Sequence, residues 1–302
     1  MEVSYDKLLS SPIFQFLIGA EKKLFTIHTA LIVDHSEPLS VLISGGMAEA
    51  REGYAWLEDT DPQTFARFGQ YLYTGDYEAA DPNIIPSPPE IVSNAPDEFP
   101  DDSLADTLEA EDHKMWLCKK KDKGKKKRLI QRNDPVQILD MTPTNFSDLK
   151  YDAAVRNFKK DPRRNMEPCE DYTEVFLCHA RLYTFADKYD IPGLKDACLY
   201  KLHKTLVGFT LYKERRQDIV ELVRYTYLNT RDMIEPMEKL RFLVIQYVAS
   251  VAQELVQSTQ FIELLGNMGQ VGRDLIPRLV EAPKQGSKGP CAYVFPCDCS
   301  HY

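Results

Sequence analysis

The sequence has no surplus of basic residues: 37 Lys and Arg stand against 46 Asp and Glu, a formal charge of −9. Neutralising a nucleic-acid backbone needs an excess of Lys and Arg on one face, so strong general nucleic-acid binding is excluded, although one local basic patch is not. Long hydrophobic runs are missing too. The longest apolar helix candidate, Leu240 to Leu255, is interrupted by Arg241, Gln246, Gln253 and Glu254 and is too short to span a bilayer. The N-terminal stretch MEVSYDKLLSSPIFQFLIG has an acid at position 2 and no small-residue cleavage site, which makes it a poor signal peptide. An intracellular protein without a membrane partner is therefore expected. Seven cysteines, from Cys118 to Cys299, are an odd number and not the even framework of a small secreted domain, so reduced thiols are expected.

Catalytic signatures are also lacking. Cys178 and His179 are adjacent, but neighbours on a helix point to different faces and cannot form a nucleophile and base pair. Ser44-Gly45-Gly46 lacks the glycine order of a nucleophile elbow, and there is no phosphate-loop pattern or metalloprotease helix. The expectation is a protein that is not an enzyme and takes no cofactor and no small-molecule substrate. What is abundant is apolar surface: 43% hydrophobic residues in 302 suffice for a core of two modest domains.

Ile13 to Ile18 and Leu24 to Ile27 flank Gly19-Ala20-Glu21-Lys22-Lys23 and read as a strand hairpin. Thr26, Thr29 and Ser36 offer capping side chains for two short helices, with Pro38 in a first turn that tolerates it. A third strand is expected at Tyr54 to Leu57. Asp61-Pro62 then starts a helix whose Phe65, Phe68 and Leu72 lie on one face and which Gly75 ends.

From Glu78 to Asp112 there are eleven acids and no Lys or Arg; from Lys114 to Arg132 the sign reverses, with only Asp122 opposing. Six prolines between Pro82 and Pro100 forbid a regular helix or central strand there. Charge blocks, prolines and low hydrophobicity make Glu78 to about Asn133 an expected disordered loop. Asp134 to Leu139 and Phe146 to Phe158 carry apolar residues able to dock as short elements. Beyond it the chain turns helical. Leu182, Phe185, Ala186 and Tyr189 share one stripe, as do Ile219, Leu222, Val223 and Thr226, while Leu240 to Leu255 is the best amphipathic pattern. Phe261 to Leu265 and Arg273 to Val280 are shorter candidates.

Two separated stretches resemble one family. Phe25-x-Ile27-His28-x-Ala30-Leu31, then Ser36 and Leu39, then Met47-Ala48-Glu49, then Phe65-x-x-Phe68-x-x-Tyr71-Leu72-Tyr73-Thr74-Gly75 are similar in order and spacing to the front two-thirds of a BTB/POZ domain. His179 to Leu202, HARLYTFADKYDIPGLKDACLYKL, resembles the closing helix pair of the same family, and the whole is similar to BTB proteins typical of filamentous fungi. The resemblance implies an α+β fold, a small strand sheet flanked by helices, followed by a mainly α-helical extension. Residues 11–77 would form the first part of the BTB/POZ domain, 78–173 a charge-segregated insertion, 174–204 the closing helix pair, 205–282 the helical extension and 283–302 a Cys-containing flexible tail.

The function so implied is protein binding. In BTB adaptors that recruit a cullin, a hydrophobic-x-Glu motif makes the contact, and Met47 and Glu49 match it, with Tyr73 and Tyr77 expected at the same interface. A substrate adaptor for a cullin-RING ubiquitin ligase is one reading. A nuclear scaffold or transcription-associated protein acting by self-association is the other, and no kelch repeat, zinc finger or MATH-like segment is present to hold a substrate. About ten residues precede the first strand, so a swapped dimer arm is expected to be lacking. His28 is expected to be structural, packed at the base of the domain and bonded to backbone. Lys119, Lys120, Lys121, Lys125, Lys126, Lys127 and Arg128 form a tract that reads either as a nuclear-localisation signal or as a solvated flank to the acidic block, so the location is nucleus, cytoplasm or both. Cys291, Cys297, Cys299 and His301 are soft or imidazole ligands, but C-x5-C-x-C-x-H departs from ordinary zinc spacings and no metal is assigned to them.

Overall fold

A computed structural model describes residues 5–46, 48–86, 146–149, 162–234 and 236–281. Strand β1 (Ile13–Ile18) is central in a three-stranded sheet, antiparallel to β2 (Lys23–His28) and parallel to β3 (Tyr54–Leu57). The hairpin turns at Gly19, whose φ of +73° lies in the region glycine tolerates. Alternation sets the faces: Phe14, Phe16 and Ile18, with Ala55 and Leu57, point into the core, whereas Ile13, Tyr54 and Trp56 lie outward. A short helix α1 (Tyr5–Ser10) precedes the sheet and rests Leu8 against α2 (Thr29–His35). Between β2 and β3 come α2, α3 (Glu37–Ser44) and α4 (Ala48–Glu52).

Of the three expected capping residues only Ser36 acts as one, accepting the Leu39 N–H at 3.1 Å. Thr26 is a strand residue and Thr29 already lies inside α2, whose flanking His28 makes no side-chain cap. Helix α5 (Pro62–Thr74) is bounded as its sequence indicates. Asp61 accepts the Thr64 N–H at 2.8 Å, and Gly75, at φ +70°, closes the last turn.

An aromatic chain joins the sheet to the helices. Phe16 meets Phe65 at 5.1 Å, Phe68 meets Phe185 at 4.9 Å, and Phe185 meets Tyr189 at 4.7 Å between ring centres. Phe185 belongs to α6 (Thr173–Lys188), which runs antiparallel to α7 (Pro192–Gly208) and also packs on α5 and α8 (Arg216–Asn229). Ser36 fixes the same seam, its hydroxyl donating to the Tyr189 carbonyl at 2.6 Å. So two stretches about a hundred residues apart in sequence share one core.

Near its two ends the 78–173 stretch is joined to itself. β4 (Asn83–Ile84) pairs antiparallel with β5 (Glu170–Asp171), and the Ile85 N–H donates to the Cys169 carbonyl at 2.9 Å. β4 therefore forms inside the range that composition marks as irregular. The returning limb is pinned at each step: Asn165 exchanges two hydrogen bonds with the Thr210 backbone, at 2.6 and 2.7 Å, and Asp218 accepts the Tyr172 N–H at 2.8 Å. Lys119 to Arg128 and Cys291, Cys297, Cys299 and His301 lie outside the described residues. Cys178 and Cys198 are free and buried, but Cys169 is disulfide-bonded, so the expectation of reduced thiols throughout does not hold.

The helical region is completed by α9 (Lys239–Ser250), α10 (Ala252–Leu255), α11 (Thr259–Asn267) and α12 (Gly269–Glu281). Here the pattern misleads. The Leu240 to Leu255 run is not one amphipathic helix: α9 ends at Ser250, Val251 breaks it, and α9 packs against α7, α8 and α12, burying Leu240, Arg241, Leu243, Val244, Ile245, Tyr247 and Val248 on all sides. Arg241, 1% exposed, is tolerated there because its guanidinium donates to the Tyr227 and Thr230 carbonyls, the Thr230 hydroxyl, Asp232 and Gln270. The fold is thus α+β, a small sheet and its helices followed by a helical C-terminal region.

Candidate functional site

Of the four residues expected at a partner surface, the structure keeps two accessible, buries one, and leaves Met47 outside the described residues. Glu49 lies half-buried on α4, which packs on α3 and β3. Tyr73 lies at the far end of α5, 46% exposed, with its hydroxyl 2.8 Å from His28 Nδ1 and accepting the His28 N–H at 3.3 Å. His28 is half-buried, and its ring bonds a tyrosine rather than the backbone.

Tyr77 is not a surface residue. It is 1% exposed, and its hydroxyl is 2.7 Å from Nδ1 of His179, equally buried. The expectation failed because Tyr77 follows the helix end at Gly75, where a tyrosine reads as rim. The chain instead turns inward, and α6 and α7 close over it. Lys201 bonds the Tyr77 carbonyl and Asp76 and stands 4.4 Å above the Tyr77 ring. Cys178 accepts the Ala80 N–H at 3.3 Å. His179 and Cys178 engage different partners, as adjacent helix positions should.

The electrostatics of this seam follow from burial. His179 is held down to about 3, first by desolvation and then by the positive charges of Lys201 and Arg67. Burial pushes the Cys198 thiol well up, and Tyr77 is raised by burial with Cys198 and Cys178 beside it. All three stay neutral near pH 7. Among the described residues, Nε2 of His179 is buried without a hydrogen-bond partner. The arrangement holds two chain segments together.

Sequence reasoning also missed His203 and Tyr247, buried on α7 and α9, against which Phe146 is seated. Nothing near Phe146 in sequence announces those partners. The accessible chemistry lies on the strand side. Leu24, Tyr54 and Trp56 are exposed there, the Trp56 indole N–H donating to the Gly19 carbonyl at 3.0 Å and Lys22 standing 4.3 Å over its ring. Ile13 is exposed on the same strand array.

Among the described residues no three His, Cys, Asp or Glu side chains are grouped to hold a metal ion, and no helix is long and apolar enough to cross a membrane. No family model and no curated protein matches this chain.

Proposed function

We propose that this chain is a protein-interaction module of BTB/POZ type and serves as a substrate adaptor for a cullin-RING ubiquitin ligase. The observation that carries the reading is the order of elements: a hairpin, short helices, a third strand parallel to the first, a capped helix, and a closing helix pair. These elements are built from the stretches whose motifs resemble that family. On this reading the chain assembles other proteins, and no reaction is assigned to it. Glu49, near the start of α4 and partly open to solvent, supports the contact role, with Met47 two residues before it as the apolar anchor.

Loss of either contact is expected to weaken the complex by about 1 to 3 kcal/mol, roughly five- to a hundred-fold. A pull-down from native extract compares wild type with Met47→Ala and Glu49→Ala at matched circular dichroism. Absence of a cullin from the wild-type sample, or equal retention by both variants, overturns the adaptor reading.

The second reading, a nuclear scaffold acting by self-association, is favoured by one feature. Helix α1 exposes Tyr5 and Leu9, and Val33 on the neighbouring α2 is exposed as well. Light scattering on wild type and Leu9→Glu tests it, with a dimer lost in the variant as the expected result. A fluorescent fusion with Lys125, Lys126, Lys127 and Arg128 changed to Ala should move from nucleus to cytoplasm, and an unchanged distribution removes the nuclear part.

A further inference from the structure

Phe146–Asp148 form a single 3-10 turn. It pairs with no strand. Fifty-nine residues separate Phe146 from Pro86, and twelve separate Leu149 from Pro162. Phe146 attaches it through both its ring and its carbonyl. The Phe146 ring stands edge-on to His203 at 4.8 Å and to Tyr247 at 5.3 Å between centres, and the Phe146 carbonyl is 2.9 Å from His203 Nε2. In a 3-10 turn residues three apart lie on the same side, and both Phe146 and Leu149 pack partly buried against the core.

The receiving side chains sit on α7 and α9, which pack on each other. His203 and Tyr247 are 1% and 4% exposed. A carbonyl can only accept, so Nε2 of His203 carries the proton of this bond. The ring remains neutral near pH 7, because burial lowers its value to about 4. A rigid aromatic wall, an oriented N–H donor and a two-anchor turn are the parts of a short-peptide recognition site, in which side-chain pockets supply affinity and a backbone bond fixes register.

We propose that the α7/α9 surface centred on His203 and Tyr247 is a peptide-recognition groove for Phe-x-x-Leu turns, which this chain fills with its own Phe146 and Leu149. The native occupant is a tethered competitor. Belonging to the same chain gives it an effective concentration on the order of 1 mM, so a free peptide that binds the vacated groove at about 100 µM meets the occupied one roughly tenfold more weakly. The inference does not depend on the BTB/POZ reading, since neither Glu49 nor the sheet takes part.

The test uses the full chain and a fluorescein-labelled peptide with the sequence of residues 142–152. Fluorescence anisotropy should show saturable binding to the Phe146→Ala, Leu149→Ala double variant, binding to wild type at least tenfold weaker, and none for a peptide carrying Ala in place of Phe. The milder Phe146→Ala variant should fall between them. Circular dichroism should report a folded body in both variants, because a seated ligand, unlike a core element, can be removed. No binding to a folded double variant, equal binding to wild type, or unfolding of both variants overturns the proposal.

Discussion

Acid should weaken this protein through two histidines that resist protonation where they sit. His179 is held at about 3 and His203 at about 4, in each case chiefly by burial, while both would titrate near 6.5 in the unfolded chain. Below pH 6.5 the unfolded chain binds protons that the folded one refuses, so stability is full near pH 7 and falls as pH drops toward the folded values. By proton linkage each histidine withdraws roughly 2 kcal/mol between pH 7 and pH 5. Asp218 acts in the opposite direction. Burial raises it to about 6 against the lowering effects of the Tyr172 N–H and Arg215, so its ionised form is disfavoured in the fold. Its protonation over the same interval returns about 1 kcal/mol. The net loss, roughly 2 to 3 kcal/mol, corresponds to about 5 to 10 °C in Tm for a body of this size.

Thermal unfolding followed by circular dichroism at pH 7, 6 and 5 checks this, with His179→Gln and Asp218→Asn as controls. Glutamine can still bond the Tyr77 hydroxyl but does not titrate, so His179→Gln should remove about two thirds or more of the acid-induced loss. Asp218→Asn should steepen it. A wild-type Tm that stays flat from pH 7 to 5, or a His179→Gln slope equal to wild type, would refute the reasoning.

Tyr77→Phe should cost about 1 to 3 kcal/mol in urea unfolding, because it strips Nδ1 of a buried histidine of its hydroxyl partner; a surface tyrosine would show no such cost. Arg241→Ala should cost about 3 to 5 kcal/mol in the same assay by leaving two α8-end carbonyls and Asp232 without their buried donor, whereas a value under 1 would mark the network as ornamental. Gly193→Ala should lower stability by about 1 to 3 kcal/mol, since a Cβ there would stand 2.7 Å from the Tyr71 hydroxyl where α7 meets α5, and an unchanged Tm would mean that Tyr71 swings clear.

The strands and the caps of α5 were legible in the sequence because local chemistry determines them. Alternation from Ile13 to Ile18, an aspartate before a proline at 61 and 62, and a glycine needing positive φ at 75 are signals read within a few residues. The α6–α7 pair was legible for the same reason, with Pro192 opening the second helix. What was hidden depends on distant partners. Arg241 looks like the solvent edge of a stripe, yet it is the core donor that ends α8, and only the arrival of α12 decides that. Tyr77 reads as rim until α6 supplies His179 from 102 residues away. β4 and β5, two residues each, are too short to carry any periodicity. For Glu49 the sequence indicated a partner contact; the helix that α4 forms there, with a backbone bond from the Gly53 N–H to the Glu49 carbonyl at 2.9 Å, was not legible.

The β4–β5 ribbon also sets a clock on synthesis. The sheet and α5 are complete as polypeptide by residue 84, but the α6 face that covers Phe65 and Phe68 is made only after residue 170. At ordinary elongation rates that interval lasts roughly 5 to 20 s. Closing a loop of that length then costs about 4 kcal/mol of chain entropy before the seam returns any contact energy. A nascent chain halted between those two points presents an unsatisfied aromatic face, the kind of surface that chaperones retain and neighbouring ribosomes' products can capture.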